Sequence, residues 1–203
     1  MPKWTRKTAE VRQREILQAA ERLLIQYGDE RFSLAPIATE AGLSKTALYM
    51  HFESREQLFR AFTEYILEAP MLRAQEEAKS DGSLEDRVFR LLNTKIGHFY
   101  RVSRETPHGG WLIELTNQLS ADLLKKDRQA YERLLARVLS EAEFAGRIDP
   151  SIVGLTANTL AATLISAAHG LAREDAAFVS EGVFTQRLRG LVRAAVNGVT
   201  RSS

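Results

Sequence analysis

Residues 33–58 read SLAPIATEAGLSKTALYMHFESREQL, and this stretch decides the fold of the chain. Ser33 can cap a first helix over 34–41, and Ser44 can cap a second short helix, because hydroxyl oxygens accept the free N–H groups at a helix start. Between the two helices, Gly42 permits the sharp turn that brings the second against the first. Two short helices joined by about three residues that include a glycine predict a helix-turn-helix.

The outward side of the second short helix has side chains that suit the reading of DNA. Apolar residues pack the two helices together, and a helix of this size fits the major groove with its N-terminal residues near the base edges. The ammonium of Lys45 can donate to guanine or to a phosphate, and the methyl groups of Thr46 and Ala47 can meet the methyl group of thymine. We therefore expect these three residues to approach the bases.

The residues around this helix suit the phosphate backbone. Tyr49 and His51 can donate to phosphate oxygens, and Met50 lies at the edge of the surface. Arg55 can clamp a phosphate at the start of the next helix, where free N–H groups also favour an anion, and Ser33 can do likewise from the preceding helix. The predicted DNA-contacting residues are Ser33, Lys45, Thr46, Ala47, Tyr49, Met50, His51 and Arg55.

Apolar residues recur at helical spacing through almost the whole chain, and no segment predicts a strand. Gly28 is placed to end the first helix. Ser54 and Gln57 have the spacing of a capping box and open a long helix that Pro70 is expected to kink or break. Phe52, just before it, is expected to turn into the core. Further helices are predicted from Leu84, over 111–119, over 121–144, from Pro150 to about Leu171, and over 181–199.

The composition is that of an ordinary globular chain. Of the 203 residues, 44% are hydrophobic and 27% are charged, and no run of about 18 apolar residues predicts a membrane span. The absence of cysteine excludes disulfides, thiolate metal sites, iron–sulfur clusters and a cysteine nucleophile, and it fits a reducing compartment. The start of the chain lacks the apolar region of a secretory signal. We therefore expect a cytoplasmic protein.

Charge is unevenly distributed along the chain. The first fourteen residues carry five basic residues and one acidic residue, a net charge of +4 that leaves −2 for the remainder of a chain whose total is +2. A basic head on a mildly acidic body suggests that the head meets a polyanion, although a solvated basic tail would have the same composition.

The segment from about Arg14 to Ile66 resembles the DNA-binding domain of the TetR family of transcriptional regulators. The residues that carry the resemblance are Ile16-Leu17-Gln18-Ala19-Ala20, Tyr27-Gly28, Ser33, Ile37-Ala38, Ala41-Gly42-Leu43-Ser44, Leu48-Tyr49, His51-Phe52, Arg55 and Leu58. The resemblance implies that Ser33, Lys45, Thr46, Tyr49, His51 and Arg55 occupy positions that touch DNA. Position 55 is commonly lysine in this family, and arginine keeps the charge there.

The resemblance also implies the domain organisation: a DNA-binding domain over 1–53, linked by the helix that starts near 55 to a larger C-terminal domain within 54–203. It implies an all-α fold of about nine helices, with a ligand pocket and a dimer interface in the C-terminal domain. The sequence pattern itself supports the dimer interface that the resemblance implies. The predicted helix from Pro150 is rich in glycine and alanine, and the last helix has an apolar face. Two such helices from each chain can pair as a four-helix bundle.

A ligand pocket is typically apolar with a few placed polar groups. Trp111 follows a Gly-Gly break, and the nearby Glu114, Asn117 and Gln118 could orient a ligand. The predicted pocket residues are Phe89, Ile96, Phe99, Tyr100, Trp111, Leu115, Tyr131, Leu135 and Leu164, although large apolar side chains at helical spacing also suit an ordinary core. Such walls suit a small hydrophobic or aromatic effector, and no cofactor is predicted.

The hypothesis that joins these observations is a homodimeric repressor released by its effector from a palindromic operator; the sequence leaves an activator open. One alternative is a metal-responsive regulator, for which His98, His108 and His169 would need carboxylates such as Glu105 to complete a site. Another is an architectural DNA-binding protein without a ligand, against which the long, aromatic-rich C-terminal part argues. An enzyme is not predicted, because the sequence has no Walker loop, GxSxG or HExxH motif.

Overall fold

A computed structural model describes residues 8–28, 32–105, 116, 119–175 and 178–200. These residues are almost entirely helical, and the one β-type contact among them is an isolated antiparallel bridge between Ile148 and Thr200. The prediction of an all-α fold is confirmed. No helix in the described ranges combines the length and the apolar character needed to span a membrane.

The bounds of the helices agree closely with the hydrophobic pattern. In chain order they are α1 (Ala9–Tyr27), α2 (Leu34–Glu40), α3 (Lys45–Tyr49), α4 (Arg55–Lys79), α5 (Leu84–Leu92), α6 (His98–Glu105), α7 (Ala121–Phe144), α8 (Ala157–Asp175) and α9 (Glu181–Gly198). A π-helical turn, Asn93–Gly97, joins α5 to α6, and a 3-10 turn, Pro150–Val153, precedes α8. The predicted helix over 111–119 falls mostly outside the described residues.

Hydroxyl side chains begin several of these helices. Oγ of Ser44 accepts a backbone N–H of α3 at 3.1 Å, and Oγ of Ser54 accepts the N–H of Gln57 at 3.1 Å. The side chain of Gln57 accepts the N–H of Glu53 at 2.6 Å, one residue before the partner that a capping box requires. Ser33 is the N-cap residue of α2, as predicted, but its hydroxyl makes no side-chain cap bond, so that part of the prediction is wrong.

Two predicted helix boundaries differ from the structure. Pro70 lies inside α4, which continues past it to Lys79, so the break expected there does not occur. Proline removes one backbone donor, but Pro70 is buried and its packing helps to offset that loss. The helix predicted from Pro150 is divided, because Gly154 adopts a left-handed conformation (φ +71°) that ends the 3-10 turn before α8 begins.

The chain forms two compact units. The N-terminal unit comprises residues 1–66 and 106–123, and the C-terminal unit comprises 67–105 and 124–203. In the N-terminal unit, the rings of Phe32, Phe59 and Phe62 meet at centroid distances of 5.3 Å (Phe32–Phe59), 5.6 Å (Phe32–Phe62) and 6.3 Å (Phe59–Phe62). Edge-on contacts of this kind add to the burial of the rings. They fix the first turns of α4 against the segment that leads into α2.

The residues just before and at the start of α7 are attached to α4 within the N-terminal unit. The guanidinium of Arg60 donates to both carboxylate oxygens of Asp122, at 2.8 and 2.6 Å. One turn further along α4, the hydroxyls of Thr63 and Ser120 share a buried hydrogen bond of 3.1 Å. A forked arginine–carboxylate pair has a defined geometry, unlike most exposed ion pairs. The polar contacts therefore set the position at which α7 starts along α4.

The C-terminal unit has its own apolar core, built from α5 to α9 and the C-terminal part of α4. The rings of Tyr100 and Phe184 stack at a centroid distance of 4.0 Å with 8° between their planes. At the edge of this core, Arg189 of α9 forms an ion pair with Asp86 of α5 at 3.0 Å. The last helix is thus held to α5 by both apolar and charged contacts.

We expect replacement of Asp122 by asparagine to flatten the acid limb of the stability curve. The fork from Arg60 holds the pKa of Asp122 at about 2, below its ordinary value of 3.8. Because the folded value is the lower one, the unfolded chain binds more protons in this range, and stability falls as the pH falls from about 4 to about 2. Chemical unfolding at successive pH values should show a smaller loss of unfolding free energy in Asp122→Asn.

The matched control is Glu143→Gln, which neutralises an exposed carboxylate of α7 outside this fork. It should keep the wild-type slope over the same range of pH. Equal slopes in wild type and Asp122→Asn would show that the fork is not linked to stability.

Candidate nucleic-acid interface

The helix α3 is fixed by the turn before it and by one buried side chain. Gly42 has a φ of +66°, and the N–H of Leu43 donates to the carbonyl of Ala38 at 2.8 Å, which folds the chain back on α2. Leu48 is fully buried in the core of the N-terminal unit, and Phe52 follows it there as predicted. Because α3 spans only Lys45–Tyr49, these contacts decide which face it presents to solvent.

That solvent face consists of residues predicted to contact DNA. Lys45 and Thr46 are exposed, while Tyr49 is 42% and Met50 is 84% exposed. Ala47 is half-buried on the same helix. A methionine exposed to this degree presents an apolar surface that water does not solvate well. The structure thus brings donors and apolar groups together on one face, the combination that base edges in the major groove can accept.

Lys45 and Tyr49 are neighbours on this face. The Nζ atom of Lys45 lies 5.9 Å from the centre of the Tyr49 ring, within the range of a cation–π contact. Their side chains are four residues apart and therefore lie on the same side of the helix. The contact restricts the ammonium before any partner arrives, which lowers the entropy lost on binding.

Arg55 and the half-buried Ser33 flank the interface at the starts of two helices. The Nε atom of Arg55 donates to the carbonyl of Phe32 at 2.9 Å, so this exposed guanidinium is anchored beside the start of α2. Backbone N–H groups, together with Ser54, hold the pKa of Glu56 below its ordinary value. The first turn of α4 therefore favours negative charge, as a helix N-terminus should.

Sequence reasoning missed two carboxylates in the same region. Glu53 and Glu56 are both exposed next to the predicted phosphate contacts. His51, half-buried, lies between this acidic pair and α3 in the sequence. The sequence shows where Glu53 and Glu56 occur. Whether they are exposed depends on how the chain turns from α3 into α4.

Those predicted pocket residues that the structure describes belong to the C-terminal unit. Those that are buried are Phe89, Ile96, Tyr100, Tyr131, Leu135 and Leu164. Phe99 is half-buried, and Trp111 and Leu115 lie outside the described residues. Tyr131 has its hydroxyl buried as well, where it donates to the carbonyl of Leu91 at 3.0 Å and where burial raises its pKa. Sequence reasoning missed the charged residue among them, Lys95, because lysine in a helical pattern is ordinarily a surface residue.

The metal hypothesis gains no support from the geometry. Within the described ranges, no group of three or more histidine, cysteine, aspartate or glutamate side chains is placed to hold a metal ion. His98 is half-buried, and burial together with the charge of Arg73 lowers its pKa. His108 lies outside the described residues.

The amino-acid sequence matches a known family of proteins and several of its relatives. Residues 16–62 match the family described as bacterial regulatory proteins, tetR family. The nucleoid occlusion factor SlmA of Vibrio campbellii is 43% identical over 132 residues, which cover 64% of this chain and 67% of that protein. The HTH-type transcriptional repressor ComR of Escherichia coli K12 is 30% identical over 145 residues, 66% of each chain.

Solved structures share the fold over nearly the whole chain. A TetR-family transcriptional regulator from Mesorhizobium loti superposes with a TM-score of 0.79 at 19% identity, covering 96% of this chain and all (100%) of that one. A TetR transcription regulator from Haloarcula marismortui gives a TM-score of 0.75 at 17% identity, over 95% of this chain and 100% of that one. At these identities the likeness concerns the fold alone.

Substitutions at Lys45 and Tyr49 should separate base reading from phosphate contact. On DNA selected from random fragments, Tyr49→Ala should weaken matched and mismatched sites alike, because phosphate contacts carry no sequence information. Lys45→Ala should also relax the preference at one base position, by about 1–3 kcal/mol if that contact is bidentate. Gel shifts on both kinds of site measure the two effects.

Lys126→Ala is the matched control, since it removes an exposed lysine from α7. It should leave base preference unchanged. If Lys45→Ala and Lys126→Ala behave alike, the outward face of α3 does not read bases.

Proposed function

The chain belongs to the TetR family of bacterial regulatory proteins, and we propose that it is a homodimeric repressor that a small-molecule effector releases from a near-palindromic operator. In this proposal residues 1–53 bind DNA, and residues 54–203 bind the effector and the second subunit. The observation that carries it is the outward face of α3, where Lys45, Tyr49 and Met50 are exposed around a buried Leu48. The name of the ComR relative favours a repressor over an activator.

In the proposed complex, each subunit inserts α3 into one major groove. Two half-sites then lie about 34–36 Å apart, or a multiple of that distance, because the grooves on one side of the duplex repeat once per turn. Contacts to about six to ten phosphates per dimer would give a log–log salt slope near −5 to −9. A flat response to salt would contradict a DNA surface of this kind.

The proposed dimer interface is formed by α8 and α9. The two helices border a shallow groove lined by Ala167, Gly170, Leu171, Glu174, Arg187 and Leu191. On α9 the neighbouring solvent face carries Gly190 and Ala194, with Val183 38% exposed. Small residues let a partner helix approach closely, and the opposite charges at the groove suit a two-fold axis, across which each surface meets its own copy.

Effector release requires that the ligand bind one state of the dimer better than the other. Only such differential affinity can move the equilibrium away from the DNA-bound state. The helix α4 begins beside the predicted phosphate contacts at Arg55 and continues as one helix to Lys79. It is therefore the element through which we propose that the two activities communicate.

A second candidate function is an architectural DNA-binding role without an effector. The relative SlmA is named a nucleoid occlusion factor rather than a repressor, and this name is what favours the candidate. The two functions differ in one measurable respect, since only the repressor has an affinity for operator DNA that a small molecule changes.

We expect Gly190→Arg to produce a folded monomer that binds its operator weakly. Gly190 is exposed, and a Cβ added there meets no atom within 4 Å in the subunit, so we expect the substitution to leave the fold intact. It places a long charged side chain on the proposed interface. Size-exclusion chromatography with light scattering should give the mass of a monomer, and the salt slope should fall to about half its wild-type value because one half-site contact is lost.

Ser140→Arg supplies the control, because it adds the same side chain to an exposed position on α7. This variant should remain dimeric with the wild-type slope. A dimeric Gly190→Arg with unchanged DNA binding would exclude the α8–α9 face as the interface.

A further inference from the structure

The C-terminal unit contains a buried ion pair. Nζ of Lys95 lies 2.8 Å from Oδ1 of Asp127, and the two side chains are 4% and 16% exposed. Lys95 belongs to the π-helical turn between α5 and α6, and Asp127 belongs to α7. Burial lowers the pKa of Lys95, and the charge of Asp127 opposes that effect. An ammonium in this place is costly, and one carboxylate compensates for only part of the cost.

The ammonium group faces the residues that form the aromatic part of the predicted pocket. Nζ of Lys95 lies 5.4 Å from the centre of the Tyr131 ring and 6.0 Å from the centre of the Phe99 ring. Among the described residues, Asp127 is its one hydrogen-bond acceptor. An ammonium can donate three hydrogen bonds. Lys95 therefore has donors available for an anion that enters beside the rings.

The backbone that carries Lys95 is irregular. Single π-helical turns occur often at functional sites. The turn is also tightly built, since a Cβ added at Gly97 would lie 2.5 Å from Oδ1 of Asn93. That oxygen is buried and, among the described residues, has no hydrogen-bond partner. A buried polar atom without a hydrogen-bond partner among the described residues thus lies on the same turn as Lys95.

Two further cations lie near His98, the residue that follows this turn. The residues whose charges lower the pKa of His98, beyond the effect of burial, are Arg73, Arg101 and Lys95 itself. Arg101 also pairs with Glu181 at 3.2 Å. An anion that approached Lys95 from the side of His98 would meet a favourable potential, whereas a cation would be repelled.

Stability does not account for the pair. Apolar residues of similar volume commonly replace a buried ion pair without loss of stability, because removing both charges from water costs as much as their attraction returns. The surroundings are already apolar, with Ile96, Leu135 and Leu164 buried nearby in the same core. A charged pair kept in such a place indicates a role other than packing, as perturbed charged groups often do.

We propose that Lys95 is the anion-binding residue of the effector site, and that the effector is a small carboxylate with an aromatic or alkyl body. This inference rests on the proposed function and adds the chemical class of the effector. The carboxylate accepts the donors of Lys95 that Asp127 does not use, and its body packs against the rings of Phe99 and Tyr131. Asp127 holds the ammonium in position and competes with the ligand for its charge.

Calorimetric titration of the full-length dimer tests the inference. The probes are benzoate, phenylacetate and octanoate, each compared with its primary amide, which has nearly the same shape but no charge. At least one carboxylate should bind about tenfold tighter than its amide, because hydrogen bonds to a charged acceptor are about twice as strong as neutral ones. If no carboxylate binds better than its amide, or if benzylamine binds better than benzoate, the inference is wrong.

Substitutions at the ion pair assign the preference to Lys95. Lys95→Met should remove the difference between acid and amide, and Lys95→Arg should restore part of it. Asp127→Asn should tighten carboxylate binding severalfold, because the charge of Lys95 is then uncompensated. A purely structural pair predicts altered unfolding temperatures with the acid-to-amide ratio unchanged in every variant, and that result would overturn the inference.

Two further variants keep the result interpretable. The double variant Lys95→Met/Asp127→Asn leaves no unpaired buried charge, so it should fold even where a single variant does not, and it should show no preference for the acid. Arg193→Met is the matched control, since it removes a cation that is 62% exposed and pairs with Glu85. This variant should keep the wild-type ratio of acid to amide affinity. Loss of that ratio in Arg193→Met would show that Lys95 is not the cause of the preference for acids.

The same carboxylates, added to the protein–operator complex, separate this inference from the proposed function. Binding that depends on Lys95 and releases DNA supports both. Binding that depends on Lys95 but leaves operator affinity unchanged supports the site and contradicts the effector-controlled repressor. Release by neutral or cationic compounds, with no preference for acids, supports the repressor and overturns the assignment to Lys95.

Discussion

A helix of five residues is too short to be stable alone, so the burial of Leu48 is the constraint on which the proposed DNA-binding face of α3 depends. Leu48 is fully buried in one core with residues of α1, α2 and α4, and Phe52 enters the same core after the helix ends. Isolated helices of this length are not populated in water, and tertiary packing supplies their stability. Because Leu48 points inward, Lys45, Tyr49 and Met50 must lie at the outer surface.

The local pattern predicted the placement of α3 well, since the residues that determine it are close together in the sequence. Ser44 caps α3 and Phe52 enters the core, both as spacing alone indicates. Prediction from the sequence failed where contacts between residues distant in the sequence determine the structure. A proline such as Pro70 predicts a break, but α4 is held by neighbours that periodicity does not reveal. Lys95 resembles a surface lysine until Asp127, 32 positions later, is found beside it.

The helix α4 continues from Arg55 to Lys79 although it contains Pro70, which removes one backbone donor. Near its start, Arg60 and Thr63 also hold the beginning of α7 through Asp122 and Ser120. The first turns of α4 therefore share a core with Leu48 of α3 and also hold the start of α7.

A charged anchor also explains how an apolar site could be selective. A hydrophobic pocket distinguishes molecules of similar shape by only a small factor, since each methylene contributes about 1–3 kcal/mol. A site that contains a buried charge penalises every ligand that leaves the charge without a partner. The carboxylate of Asp127 compensates for part of the cost of burying the Lys95 ammonium, which limits the penalty in the protein without ligand. A carboxylate bound at the proposed site would change the balance of charge around Asp127 of α7.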